Sequence, residues 1–207
     1  MAGRELPLDL DMSAVRADVP LAHACRLLTH GPTVIVSAVH EGRRNLMTAA
    51  WSTPVEFEPP RIVVVLDKST YTRELALASG CLALNLPCRA ILDLTYTVGR
   101  VDGRELFEGL DKFERFRIAS FEGPVLGLPL VEGCVAWFEG RLLREPRIED
   151  TYDAFFVEIV SAQADPRVFA AGRWNFVQEN SDLHTLHHLG AGSFALPSAT
   201  IHAVRLD

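Results

Sequence analysis

The sequence predicts a mainly β protein, a β-barrel with helical insertions, and three observations support this prediction. The apolar runs are short, rich in β-branched residues, and bounded by Gly, Pro or charged residues, which is typical of strands. Only two or three helical segments interrupt them. Two longer segments, Glu132–Arg144 and Asp153–Ala164, have the alternating-to-apolar pattern of strands that wrap a barrel.

Composition limits the function classes. A chain of 207 residues is expected to form one domain over residues 1–207, with a loose lead-in at 1–18 that Leu8, Leu10 and Val15 could anchor. A net charge of −7 argues against a nucleic-acid partner, because large phosphate interfaces need a cationic surface. The sequence has no apolar run near the ~18 residues of a membrane span, and its N-terminus lacks a signal-peptide pattern. We therefore expect a cytoplasmic protein without a membrane partner.

Cysteine usage agrees with that location. The four cysteines are scattered and include no Cys-x-x-Cys pair, so we expect reduced, small core residues. They are Cys25, Cys81, Cys88 and Cys134.

The first half of the chain predicts three strands. Before them, Pro20–Leu28 fits a short helix or a strand equally well. The strands are Thr33–Val39, Asn45–Trp51 and Arg61–Asp67, joined by a polar break at His40–Arg44 and a Pro-marked loop at Ser52–Pro60.

A helix is predicted over Thr70–Ser79, with Ser69 or Thr70 as its cap and Gly80 at its end. Leu75, Leu77 and Ala78 are its residues available for burial. Free backbone N–H groups at a helix start, next to hydroxyls and Lys68, suit a phosphate group.

The second half continues with strands and short helices. In chain order we predict a strand at Cys81–Leu86, a helix at Pro87–Val98 ended by Gly99, a helical connector at Phe107–Phe116, a strand at Ile118–Phe121, the two long strands above, and an irregular segment at Pro166–Asn180.

Two motifs near the end of the sequence are set aside. Gly190–Ala195 has the spelling of a dinucleotide-binding turn, but Pro197 follows it and no βαβ unit can be built there. His184, His187 and His188 are clustered, but no Cys or carboxylate group accompanies them, so no metal site is predicted.

The order of segments resembles the flavin reductase-like family, of the flavoredoxin type. The resemblance runs from about Gly31 to Phe194, and no single motif in it is diagnostic. The matching segments are Asn45–Trp51, the Pro59-Pro60 turn before an apolar strand, Lys68–Thr72, Leu82–Pro87, Asp111–Phe113 and Leu186–Gly190.

This resemblance implies a homodimeric FMN-binding split β-barrel with the flavin near the subunit interface. It also implies NAD(P)H as a co-substrate for hydride transfer, or an electron-transfer partner protein; FAD is the alternative flavin. The implied cofactor-binding residues are Asn45, Met47, Thr48, Ala49, Ala50 and Trp51 near the ring, Lys68, Ser69, Thr70 and Thr72 at the phosphate, Asn85 as a further contact, and His188 at the flavin edge. No catalytic side chain is predicted, because the flavin carries the chemistry.

Four of these residues also have a simpler explanation, and Asn85 does not. Asn45 can close the turn after Arg43-Arg44, Trp51 can be a core residue, and Ser69 and Thr70 can be helix caps. Asn85 lies in an apolar strand, where a buried amide must find hydrogen-bond partners.

The sequence departs from the resembled family at one position. Many members carry an Asp-His pair at the start of the last long strand, and this chain has Asp153-Ala154. The missing histidine leaves flavin binding untouched but weakens the expectation of efficient NAD(P)H use. A non-catalytic electron carrier is therefore the alternative function, and a split-barrel relative that binds haem is a third.

Overall fold

The computed structural model describes residues 15–106, 110–201 and 203. None of the helices within these ranges is long and apolar enough to cross a membrane. The strands are β1 (Ala17–Asp18), β2 (Val34–His40), β3 (Arg43–Ala49), β4 (Ser52–Phe57), β5 (Pro60–Val65), β6 (Cys81–Pro87), β7 (Ser120–Glu122), β8 (Pro129–Val131), β9 (Cys134–Leu143), β10 (Ala154–Ala164), β11 (Phe169–Ala170), β12 (Arg173–Trp174), β13 (His187–Gly190) and β14 (Ser193–Ala195). The α-helices are α1 (Leu21–Ala24), α2 (Tyr71–Ser79), α3 (Leu92–Val98), α4 (Lys112–Arg115) and α5 (Pro146–Tyr152), with 3₁₀ turns at Cys25–Leu27, Arg89–Ile91, Gly103–Glu105 and Gln178–Leu183.

One large antiparallel sheet organises the protein, in the order β3-β2-β6-β9-β10-β5-β4, with β1 also paired to β10. Every pairing along this order is antiparallel, so the two end strands, β3 and β4, run in the same direction. Only Ala50 and Trp51 separate them in the chain. They are therefore two halves of one long strand that bends at Ala50–Trp51 and connects the two edges of the curled sheet. This is the mainly β split-barrel architecture that the sequence predicts.

Apolar side chains fill both faces of this sheet. One cluster lies inside the curl and includes Val36, Leu84, Phe138 and Val157. A second lies on the other face, around Ile35, Leu46 and Trp137. Helix α2 packs on β2, β3 and β6, which fixes its first turn beside β3.

The predicted loop at Ser52–Pro60 is wrong, because residues Ser52–Phe57 form the strand β4. Most residues of β4 are exposed, so its sequence lacks the apolar run that identifies a strand. Pro54 can lie in this strand because β4 ends the sheet, where a proline leaves no ladder bond unmade. The polar break at His40–Arg44 is also shorter than predicted, since only Glu41-Gly42 separates β2 from β3.

The predicted helix after Asp67 is confirmed as α2, and Gly80 ends it with φ +71°. Glycine adopts this left-handed conformation without the penalty of a β-carbon. Thr70 is the N-cap residue, but neither it nor Ser69 caps the helix with its side chain. Leu75 is buried, whereas Ala78 is exposed.

Three other regions refine the predictions. The lead-in does not extend to residue 18, because Ala17 and Asp18 pair with β10. Val15 is 51% exposed and is not an anchor, and its proposed companions Leu8 and Leu10 lie outside the described residues. The irregular segment after Pro166 contains the short β11–β12 hairpin.

The remaining predictions agree with the structure in most details. Helix α3 is followed by Gly99 as predicted, but it begins at Leu92 and not at Pro87, which belongs to β6. The connector around Phe107–Phe116 contains α4, although residues 107–109 lie outside the described ranges. Cys25, Cys88 and Cys134 are buried, Cys81 is half-buried, and all four are free thiols, as predicted.

A buried carboxylate fixes the loop between β7 and β8. Glu139 is fully buried, and its oxygens accept the backbone N–H groups of Val125 (2.8 Å), Leu126 (2.7 Å) and Leu128 (3.4 Å). A β-carbon at Gly123 would lie 2.2 Å from this carboxylate, so the chain can pass there only as glycine. Glu139 therefore provides the hydrogen bonds that this loop cannot make with itself.

Replacing Glu139 by alanine is expected to lower the free energy of unfolding by about 3 kcal/mol, because it leaves buried N–H groups without an acceptor. The measurement is urea unfolding at neutral pH. Glu158→Ala is the control: its ion pair with Arg61 (3.2 Å) is a third exposed, and its loss should cost under about 1 kcal/mol. An equal decrease in the free energy of unfolding in both variants would show that the Glu139 hydrogen bonds stabilise the protein no more than an exposed ion pair does.

Candidate functional site

Two adjoining clefts lie along the bent strand. The first is lined by Asn45, Met47, Ser69, Thr70, Tyr71, Thr72, Val98, Gly99, Arg100, Val101, Asp102, Gly103 and Lys112. The second is lined by Thr48, Ala50, Thr95, Tyr96, Gly99, Arg100, His188, Ala191, Gly192 and Phe194. Their volumes are about 170 Å³ and about 240 Å³. Neither alone reaches the ~300 Å³ at which ligand pockets typically begin, but together they do.

The backbone at Gly99 packs against the Thr48 side chain and separates the two clefts. Gly99 and Arg100 line both of them, so the chain that follows α3 forms their common wall. A β-carbon at Gly99 would lie 2.9 Å from Cβ of Thr48, a distance that requires one of the two residues to shift. Glycine at this position lets the wall rest directly on β3.

The first turn of α2 opens into the first cleft. Asp67 Oδ1 accepts both the backbone N–H (2.8 Å) and the hydroxyl (2.6 Å) of Ser69, and the Thr70 hydroxyl donates to the Asp67 carbonyl (2.7 Å). Both hydroxyls are thereby directed to the turn before the helix and not to its first N–H groups. The start of α2, with its partial positive charge, remains available to an anion at the cleft.

Two arginines add positive charge at this end. Arg104 donates to the Ser69 carbonyl (2.8 Å) and to Glu74 (2.8 Å), and so is already paired. Arg100 is exposed and has no carboxylate within ion-pair distance among the described residues. Arg100 is therefore the cation best able to meet a negatively charged ligand.

The floor of the first cleft is polar and buried. Asn45 is 2% exposed and donates through Nδ2 to the Thr72 hydroxyl (3.0 Å), while its Oδ1 has no partner among the described residues. Lys112 is also 2% exposed and donates to the carbonyls of Leu46 and Val98, at 2.8 Å each. Burial lowers the pKa of Lys112 to about 8, and nearby Asp102 partly opposes that shift.

The second cleft follows the free edge of β3. Because the Leu46 carbonyl accepts from Lys112, even-numbered residues of this strand direct their backbone groups away from β2. Thr48 and Ala50, which line the cleft, thus present backbone N–H and C=O groups at the open edge. The Thr48 hydroxyl is used elsewhere, since it donates to the Thr95 carbonyl (2.5 Å).

Aromatic side chains form the opposite wall of the second cleft. Tyr96 lies beside Gly192, where a β-carbon would approach its ring to 3.2 Å. The rings of His188 and Phe194 are 5.0 Å apart across the β13–β14 hairpin. Backbone donors facing aromatic surface are an arrangement that accepts a flat, polar-edged ring.

The structure brings together most of the residues predicted from the sequence, divided between the two clefts. Asn45, Met47, Ser69, Thr70 and Thr72 line the first cleft, and Thr48, Ala50 and His188 line the second.

The other four predicted residues line neither cleft. Asn85 is fully buried, donates to the Ile35 carbonyl (2.9 Å) and accepts from the Val131 N–H (2.8 Å), so its amide is satisfied inside the sheet. Lys68 turns away to the carbonyl of Asp150. Ala49 is buried, and Trp51 is 75% exposed outside the clefts and is not a core residue.

Sequence reasoning missed four residues that shape the clefts. Lys112 lies within the matching segment Asp111–Phe113, but the sequence indicates no role for it. Arg100 follows the glycine that ends α3, where the sequence pattern indicates only the end of a helix. Tyr96 and Phe194 gave no signal, because their approach to β3 depends on the packing of distant segments.

Comparisons with known proteins agree on one family. A family model described as a flavin reductase like domain matches residues 26–179. The Escherichia coli protein YddH is 50% identical over 188 residues, which are 89% of this chain and 96% of that protein. The crystal structure of an FMN-binding domain of a flavin reductases-like enzyme from Shewanella baltica gives a TM-score of 0.86 at 38% identity, covering 92% of this chain and 98% of that one.

A more distant relative carries an activity in its name. The FMN reductase (NADH) RutF of Stutzerimonas stutzeri is 29% identical over 115 residues, which are 55% of this chain and 60% of that protein. The family model spans most of the described residues and includes every residue that lines the first cleft, whereas the β13–β14 residues of the second cleft lie beyond it. The chain therefore belongs to the flavin reductase-like family.

Proposed function

We propose that this protein binds FMN across the two clefts and acts as an oxidoreductase that transfers hydride or electrons from NAD(P)H to the flavin. The observation that carries the proposal is the open backbone edge at Thr48 and Ala50 in one cleft, together with the uncapped start of α2 in the adjoining cleft. Along β3, Asn45 and Ala50 are about 16 Å apart at ~3.3 Å per residue, comparable with the length of an extended flavin mononucleotide. Family membership and the FMN-binding Shewanella relative support the choice of ligand.

The phosphate would be held at the first cleft. The first N–H groups of α2 and the guanidinium of Arg100 are the donors on that side, since the Thr70 hydroxyl donates to the Asp67 carbonyl. A phosphate there combines the favourable end of a helix with a charge-assisted hydrogen bond. Ser69 lines the same cleft, although its hydroxyl is directed to Asp67.

The isoalloxazine ring would be held at the second cleft. Backbone groups of Thr48 and Ala50 would meet its polar edge, and Tyr96, His188 and Phe194 would cover it from solvent. The flavin supplies the chemistry, because it accepts a hydride and releases electrons singly or in pairs. The protein residues orient it, exclude water and set the charge around it.

We further propose that the protein is a homodimer. Trp51, Val55 and Phe57 are 75%, 47% and 58% exposed on and beside β4, although the bulge between Pro54 and Glu56 places Phe57 on the opposite face from Trp51. Exposed apolar side chains of this kind favour association. Because Trp51 follows directly on Ala50, a second subunit that covers Trp51 would lie next to the second cleft.

The absorption spectrum of the purified protein tests the ligand. A yellow preparation that releases FMN on denaturation is the expected result. A Soret band would instead identify haem, and a colourless protein with no affinity for added flavin would overturn the proposal.

Ala154 favours a second function, a bound-flavin electron carrier that serves a partner protein. It is half-buried at the start of β10, pairs with Val65, and lines neither cleft. A histidine that could dock a nicotinamide is therefore missing at the position where the resemblance places one. The relative RutF, which is named for NADH use, supports the reductase reading.

Arg100→Gln is expected to weaken FMN binding by about tenfold, because a hydrogen bond to a charged group is worth about 1.5–3 kcal/mol. Riboflavin, which lacks the phosphate, should bind both proteins equally. Fluorescence titration with the two flavins measures the difference, and Arg43→Gln, an exposed arginine of β3 that lines neither cleft, is the matched control. Equal losses for FMN and riboflavin would remove Arg100 from the phosphate site.

Ala154→His is expected to raise the rate of flavin reduction by NAD(P)H about tenfold or more, since one added polar contact is worth about 1–3 kcal/mol. Reduction by dithionite should be the same in both proteins, because dithionite needs no docking site. Stopped-flow bleaching of the flavin with NADH and NADPH is the measurement. Rapid, saturable reduction of the protein with alanine at this position would show that the histidine is unnecessary.

A further inference from the structure

The β13–β14 hairpin at the second cleft belongs to a two-stranded sheet of its own. It contributes a wall of that cleft, made of His188, Ala191, Gly192 and Phe194. Within the described part of the chain the hairpin shares no ladder with the large sheet, so other contacts must fix its position.

The loop before β2 supplies such contacts. Thr33, which is 1% exposed, donates its N–H to the Leu186 carbonyl (2.7 Å) and accepts the His188 N–H at its hydroxyl (3.0 Å). Three residues earlier, His30 Nε2 lies 2.8 Å from the hydroxyl of Thr185, which is fully buried. The loop therefore holds residues 185–188, which lead into β13 and begin it.

The His30 ring also packs among aromatic rings. Its centroid is 5.0 Å from that of Trp174, 5.7 Å from that of Phe176 and 5.3 Å from that of His187. His187 is the first residue of β13, and the next residue, His188, borders the second cleft. His30 thus contacts β13 one residue before the strand reaches the cleft.

The surroundings of His30 suit a neutral imidazole. Its Nδ1 is buried without a partner among the described residues, and the Thr185 hydroxyl can either donate to Nε2 or accept from it. A neutral ring therefore leaves one uncharged atom unpaired, whereas an imidazolium would bury a charge and a second N–H without an acceptor. Burial, together with the neighbouring His187, lowers the pKa of His30 to about 4.

We propose that His30 is a positioning residue that, as a neutral imidazole, holds β13 at the second cleft, and that its protonation releases the hairpin that covers the flavin ring. An imidazolium is solvated by water only when the ring leaves its buried place, and the contacts to Thr185 and His187 are lost when it does so. This inference rests on the proposed flavin function, but the movement of the hairpin can be measured without a flavin.

The charges around His30 do not favour its protonated form. The bases on the surrounding elements are His23, Arg26, Arg173, His184 and His187. The acids there are Glu179, which is exposed, and Asp182, which pairs with Arg89 (3.5 Å). No carboxylate of the described residues lies within ion-pair distance of His30.

The direction of the pH dependence follows from these values. His30 has a pKa of about 4 with the hairpin closed and titrates near its ordinary 6.5 when exposed, so the open form binds more protons between these pH values. Below pH 6.5, each pH unit raises the ratio of open to closed hairpin by up to about tenfold, until about pH 4. Burial also lowers the pKa of His187, which acts in the same direction.

Hydrogen exchange of the flavin-free protein measures the opening. Between pH 6.5 and pH 5, the protection of the His188 amide, corrected for the intrinsic exchange rate, is expected to fall by about tenfold. Amides of the central strand β6 should keep their protection. His30→Gln can still donate to Thr185 but cannot be protonated, so it should lose most of this pH dependence. His30→Ala should show low protection of His188 at both pH values.

Flavin affinity reports the consequence for the cleft. At pH 7, His30→Ala is expected to weaken FMN, riboflavin and lumiflavin by the same factor, about fivefold, because all three contain the ring that the hairpin covers. His30→Gln should restore the affinities. His40→Gln, at the other end of β2 and lining neither cleft, is the matched control and should change neither exchange nor affinity.

Several results would contradict this role for His30. They are a His188 protection that does not change with pH, a change that is equally large in His30→Gln, and a simultaneous loss of protection in β6. A loss of affinity confined to FMN would place the effect at the phosphate and would also overturn it. If His30→Ala does not fold, the comparison of His30→Gln with the unaltered protein decides. Failure of all three flavins to bind the unaltered protein would overturn the proposed function, and hydrogen exchange would then decide the role of His30 by itself.

Discussion

The bend at Ala50–Trp51 is the constraint on which the rest of the site depends. The strand that contains it pairs with β2 on one side of the bend and with β5 on the other, and it thereby connects the two ends of a seven-strand path. At the bend the backbone leaves one ladder before it has joined the other. Backbone groups of Thr48 and Ala50 are consequently left at an open edge, and both clefts lie beside it.

An open edge inside a folded protein must be satisfied by something other than a strand. The Leu46 carbonyl, earlier on β3, accepts a hydrogen bond from Lys112, which also donates to the Val98 carbonyl at the end of α3. The chain from Val98 to Gly103 is thus held over the strand as a wall. Where that wall stops, the edge is left to a ligand, so the same hydrogen-bonding requirement shapes the fold and the clefts.

Sequence patterns within short segments predict the fold class and α2, whose end at Gly80 follows from backbone conformation alone. These patterns do not predict which of two possible partners a side chain will contact. Lys68 stands at the predicted helix start but reaches Asp150, and Asn85 is occupied by Ile35 and Val131. The strand β4 was missed because it is largely exposed and contains a proline. In each case the deciding partner is distant in the chain, so no local pattern contains it.

Pro54 limits how another chain can approach this edge of the sheet. The Trp51 carbonyl accepts from the Val65 N–H, so the even-numbered residues before the bulge in β4 turn their backbone towards the outer edge. One of them is Pro54, which has no N–H to donate. An added strand from another chain would therefore find an interrupted ladder, which discourages edge-to-edge aggregation into extended sheets. Any contact on this side has to be made by side chains, which limits it to partners with a complementary surface.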